Sequence, residues 1–111
     1  PVCTLSISRD GKWFASGSED GTIILWDATA GHVLTLLGHT GMIKSACFSP
    51  DGRYVASGSF DRTVRLWRTS DGDCLDVFEH DSSVERVKFT TDGRRLIAGV
   101  GDGSVLVHHL Q

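Results

Sequence analysis

Proline is almost missing from these 111 residues, with two in all, and no stretch approaches the ~18 apolar residues of a membrane-spanning helix. The longest apolar runs, such as Ile23-Ile24-Leu25-Trp26, have the length of a strand. A basic surplus is missing too. The formal net charge of −3 argues against a nucleic-acid or anionic-membrane surface. No basic start with an apolar middle marks a signal peptide, an absence of little weight in a chain that opens on Pro1 rather than Met. The three cysteines, Cys3, Cys47 and Cys74, are an odd number set among apolar residues. They are expected as reduced, buried thiols in a cytoplasmic or nuclear setting rather than as a disulfide framework. Apolar positions at helical spacing over three turns are also lacking. What is present is ordinary for a folded domain, at 40% hydrophobic and 23% charged residues, which excludes disorder. Only the 13 glycines stand out, and they imply many tight turns.

Those glycines are periodic. Gly11, Gly52 and Gly93 are spaced 41 apart, as are Gly17, Gly58 and Gly99. Asp10, Asp51 and Asp92 keep the same step, as do Asp20, Asp61 and Asp102, then Trp26 and Trp67, then His39 and His80. With residues 1–41 laid over 42–82 without a gap, 14 of 41 positions are identical. The chain therefore divides into units at 1–41 and 42–82 and a partial unit at 83–111. A period of about 40–45 residues is that of a four-stranded propeller blade.

Each unit reads as short strands between turns. A near-alternating segment (Val2 to Ile7, Ile43 to Phe48, Val84 to Phe89) precedes an Asp-Gly turn. A run ending in small residues follows, as in Trp13 to Gly17 and Tyr54 to Gly58. After a second turn comes a β-branched run (Thr22 to Trp26, Thr63 to Trp67, Ser104 to Val107). A fourth strand is expected at His32 to Leu37 and at Cys74 to Phe78, and the third unit lacks one. The fold class is all-β, built from four-stranded antiparallel blades. Small residues within strands weaken an isolated sheet unless something packs closely on them. Trp26 and Trp67 are the rings expected there. Such units carry buried residues on both faces and must stack on one another.

Ser57-Gly58-Ser59-Phe60-Asp61-Arg62-Thr63-Val64-Arg65-Leu66-Trp67, with Gly38-His39 upstream, resembles a WD repeat, and Ser16 to Asp27 resembles one more closely, ending in a Trp-Asp pair. The third unit departs: Glu79-His80 replaces Gly-His, Ala98 replaces the strand serine, and His108 stands at the tryptophan position. The resemblance implies a β-propeller of seven blades, with the marked residues in a structural hydrogen-bond network rather than an active site. Carried over, His39 bridges Asp61 and Ser57, and Ser57 reaches the Trp67 indole. Ser16, Asp20 and Trp26 are the partial set of the first unit, and His80 and Asp102 that of the third. Buried polar groups of this kind need partners, and a satisfied chain of them stiffens a core.

Chemistry is not expected. His108 and His109 are adjacent in a strand, so their rings point to opposite faces and do not chelate one ion. Asp71-Gly72-Asp73 lacks the later ligands of a calcium loop. Gly99 to Gly103 has neither the Lys nor the helix of a phosphate-binding loop. Cys47 lies in an inner strand, where a small hydrophobe is expected rather than a nucleophile. Catalytic, cofactor and metal residues are thus expected to be none, and the chain not to be an enzyme.

What remains is surface. WD repeats resemble one another in offering partner proteins the end built by the loop into the innermost strand and the turn between the second and third strands. Contact candidates there are Thr40, Met42, Asp81 and Ser83, with Glu19 and Phe60 just before the turn aspartates. Phe60 and Met42 lead, because aromatics and methionine are enriched at interfaces. Closure needs about 4–8 blades, so further blades in cis or further copies in trans are expected. If an open end bares roughly 500 Å², it forfeits ~12 kcal/mol at ~25 cal/mol per Å². The expected function is a non-catalytic protein–protein interaction scaffold, with neither nucleic acid nor membrane as partner. The alternatives are a sugar- or small-ligand-binding propeller, an enzyme built on one, or a self-assembling fragment.

Overall fold

Alternating strands and Asp-Gly turns give three antiparallel sheets in the computed structural model, which describes residues 2–29, 31 and 33–110, with Val2 and Cys3 described by backbone alone. The first sheet holds β1 (Val2–Ile7), β2 (Trp13–Ser18), β3 (Ile23–Asp27) and β4 (Val33–Leu36) in that order. The second holds β5 (Ile43–Phe48), β6 (Tyr54–Ser59), β7 (Thr63–Arg68) and β8 (Cys74–Glu79), again in chain order. The third has three strands, β9 (Val84–Phe89), β10 (Arg95–Val100) and β11 (Val105–His109). Among the described residues there is no helix. A register shift recurs at one place in every inner strand, at residues 2–4, 43–45 and 84–86. Such bulges increase local twist. The inner strands β1, β5 and β9 lie side by side, so the sheets are blades in an open arc.

The core lies between the blades. Paired residues of adjacent strands share a face, and the face made of Ala15, Ile23, Leu25 and Leu36 packs on Ile43, Phe48, Val55 and Trp67 of the next blade. A second cluster joins Ala56, Val64 and Leu66 to Val84, Val87, Leu96, Ala98 and Val100. Apolar burial is roughly proportional to area removed from water, so a blade gains its stability from its neighbours. Leu5, Ile7, Phe14 and Trp26 on the far face of the first blade remain exposed.

The strand glycines report the same stacking, with a correction. A Cβ on Gly17 would lie 2.4 Å from Cγ2 of Ile43, and one on Gly58 would lie 2.5 Å from Cγ1 of Val84. The groups that press on these glycines are thus inner-strand side chains of the following blade. They are not Trp26 and Trp67, which belong to the face turned the other way. At Gly99 a Cβ would meet nothing within 4 Å.

The cysteines also differ from expectation. Cys47 is half-buried, and Cys74 is exposed at the start of β8, where an outer strand faces solvent. The side chain of Cys3 and all of His32, the expected start of the fourth strand, lie outside the described residues. Leu37 falls beyond the end of β4.

Candidate functional site

The tight turn between β6 and β7 puts the Asp61 carboxylate beside the loop that enters β5, and His39 descends from that loop between the blades. Its Nδ1 is 2.9 Å from Asp61 Oδ2, and its Nε2 is 2.7 Å from Ser57 Oγ. The Trp67 indole donates to the same Oγ at 2.8 Å. The donor inventory settles the protons. The Asp61 carboxylate only accepts, so Nδ1 carries the hydrogen, and the neutral ring then accepts at Nε2 from the Ser57 hydroxyl, which itself accepts from the indole. The His39 side chain is fully buried and that of Asp61 nearly so.

Burial holds the His39 pKa below the ordinary 6.5, against the upward pull of the Asp61 hydrogen bond and charge. At Asp61, burial pushes the carboxyl up. The Thr63 and His39 hydrogen bonds and the Thr40 N–H outweigh it, and the pKa falls to about 2. The ordered tetrad is therefore a neutral imidazole on a carboxylate. Its histidine has no free nitrogen with which to serve as a catalytic base.

The other two marked sets do not assemble. Asp20 accepts from Ser18 Oγ at 2.5 Å, from the Thr22 N–H at 2.9 Å and from the Thr22 hydroxyl, all within its own turn. Trp26 is 43% exposed on the uncovered flank, and among the described residues no hydrogen bond joins it to Ser16 or Asp20. In the third blade Asp102 accepts the Ser104 N–H at 2.8 Å and does not meet His80. Ala98 offers no hydroxyl, and His80 turns instead to His108, Nε2 to Nε2 at 3.2 Å.

Two kinds of partner escaped the sequence reading. Thr63 donates its hydroxyl to Asp61 Oδ1 at 2.6 Å and lies 3.1 Å from His39 Nδ1, making a fifth member of the network. Ser8, Ser49 and Thr90 each donate to the aspartate two residues on (Asp10, Asp51, Asp92) and accept the N–H of the residue that opens the next strand. Their 41-residue spacing is the signal that could have found them.

The contact candidates lie at one end of the blades. The Phe60 N–H donates to the Met42 carbonyl at 2.9 Å, the His80 N–H to Arg62 at 2.9 Å and the Gly101 N–H to Ser83 at 2.8 Å, so loops and turns form a continuous rim. Thr40 is exposed, with its N–H on Asp61 at 2.9 Å. Glu19 and Asp81 are exposed, and Met42 is half-buried. Ser83 is half-buried and donates to Glu85 at 2.7 Å. Phe60 is 62% exposed. Among the described residues no cluster of three or more His, Cys, Asp or Glu is arranged to hold a metal ion.

Antiparallel blades stacked face to face, with a buried His–Ser–Trp–Asp network between them, define a repeat protein of the propeller type. The family model for "WD domain, G-beta repeat" matches residues 1–27, 31–68 and 72–109, and the chain belongs to that family. It is similar to the small ribosomal subunit protein RACK1y of Oryza sativa subsp. japonica, 47% identical over 49 residues, which cover 44% of this chain and 15% of that protein. It is also similar to the ribosome biogenesis protein BOP1 of Rattus norvegicus, 39% identical over 49 residues, or 44% of this chain and 7% of that protein. The matches thus span only a small part of these relatives.

Proposed function

We propose that the chain is a non-catalytic scaffold segment that presents the Phe60 rim to partner proteins within a multi-component assembly. The observation that carries this reading is Phe60 itself, a large apolar side chain 62% exposed on a turn braced by the Met42 carbonyl and by Asp61. Solvent-exposed aromatics on rigid supports are the side chains that dominate interface energies. The relatives, named for the small ribosomal subunit and for ribosome biogenesis, support an assembly setting, cytoplasmic or nuclear. Those names leave the absence of nucleic-acid contact as a proposal, which filter binding of RNA by the purified protein tests. Units at 1–41, 42–82 and 83–111 are proposed as successive blades, whose open flanks take further blades in cis or copies in trans.

A photo-crosslinking residue at position 60 of the full-length protein, compared with one at exposed Thr91 on the opposite end, tests the rim. Partner adducts are expected at 60 and not at 91. Phe60→Ser is expected to weaken the captured partner by about 30-fold, the ~2 kcal/mol of a hot-spot aromatic, with the thermal midpoint unchanged. Equal adducts at both ends, or unfolding by Phe60→Ser before any loss of binding, overturns it.

A further inference from the structure

The third blade does not leave its network positions empty. It fills them with two imidazoles. His80 comes from the loop between β8 and β9 and His108 from β11, and their Nε2 atoms are 3.2 Å apart with ring planes 46° from parallel. Phe78 of β8 stacks on His108 with centroids 4.1 Å apart and planes 21° from parallel, which fixes that ring's orientation. Neither Nδ1 has a protein hydrogen-bond partner among the described residues, in contrast to His39, so no neighbour dictates the tautomer. In the metal-free pair one ring donates its Nε2–H to the Nε2 of the other, and a ring that moves its proton to Nδ1 offers an Nε2 lone pair instead.

With both protons on Nδ1, the two Nε2 lone pairs are open to one shared ion. Two imidazole nitrogens, each about 2.0–2.1 Å from one ion at a near-tetrahedral angle, lie roughly 3.3 Å apart, close to the spacing found here. We propose that His80 and His108 form a two-imidazole site for a borderline divalent cation of the zinc type, which braces β11 against the loop entering β9. Imidazole suits zinc, nickel and copper and discriminates against magnesium and calcium. Water fills the remaining coordination positions. His109, paired with Arg95 on the opposite face of the sheet, takes no part. The brace supplies at the second junction what the His39 network supplies at the first.

Zinc titration of the full-length protein by calorimetry, with magnesium as control, tests the site. One zinc per site is expected, with a thermal midpoint that rises with zinc and does not rise with magnesium. His80→Ala is expected to lose affinity on the order of tenfold or more, and His109→Ala to keep it. His108→Trp restores the indole of the sister blades and keeps the junction filled, so its loss of zinc uptake is separable from unfolding. In ring ¹⁵N spectra the Nε2 signals of His80 and His108 should shift together. No saturable uptake at millimolar zinc, or uptake unchanged in His80→Ala and His108→Trp, overturns the proposal.

Discussion

The two junctions between blades share a plan and differ in chemistry. Between the first and second blades, His39, Ser57, Trp67 and Asp61 satisfy one another in a buried chain, with Thr63 alongside. Between the second and third, alanine and histidine stand at the serine and tryptophan positions, and two half-buried imidazoles meet instead. The apolar part of the contact is common to both, with Ile43 seated on Gly17 and Val84 on Gly58. Apolar stacking therefore makes the arc, and the polar network is an addition that one junction carries and the other replaces. Equivalent positions diverge again at the uncovered flanks, where Trp26 and Gly99 have the residue types of their sisters and none of their surroundings.

The tryptophans give the sharpest test of that comparison. Trp67, 2% exposed, is expected to cost about 3–5 kcal/mol when cut to alanine. Trp26→Ala should cost about 1 kcal/mol or less, as at a surface position. Chemical denaturation reads both, and equal losses would mean that something covers the first blade's far face.

The network comes next. His39→Ala is expected to cost about 1–3 kcal/mol by leaving Asp61 and Ser57 without their buried partner. Its pH dependence has a definite sign. The folded pKa of His39 lies below the ordinary 6.5, so its contribution is whole above that value and fades as pH falls through the lowered one. The pKa of Asp61, at about 2, keeps its share into far stronger acid. Thermal midpoints of the wild type and His39→Gln, scanned from about pH 8 to about pH 4, should converge on acidification. A constant gap would remove His39 titration from the account.

The glycines make the smallest and most diagnostic difference. Gly58→Ala is expected to cost about 1–2 kcal/mol, since its methyl would press on Val84. Gly99→Ala should be neutral, or stabilising by about 0.4–1 kcal/mol through the unfolded chain. In a longer chain with a further blade seated there, Gly99→Ala should cost as much as Gly58→Ala, and denaturant midpoints distinguish the two.

Much of this architecture was legible in the residues. The 41-residue step, the Asp-Gly turns and the alternation of β1, β5 and β9 are local properties, and local backbone preference decides them. The complete set at His39, Ser57, Asp61 and Trp67 was legible for the same reason, as the one unit in which every partner type occurs at its spacing. What packs on Gly17 was not, because spacing along the chain does not say which face of a blade meets which neighbour. The exposure of Cys74 and the turn of His80 toward His108 were hidden likewise. Both depend on what stands across a junction or beyond an outer strand.

By itself the sequence determined the repeat, the strand and turn order and the residues able to form a buried polar chain, since each follows from short-range spacing and the hydrogen-bonding capacity of single side chains. Tertiary structure alone decided which copies of that pattern close, which aromatic is buried and which two histidines meet. Those outcomes depend on the water a neighbouring blade removes, and a neighbour is present at the inner junctions and absent from the flanks of the described arc.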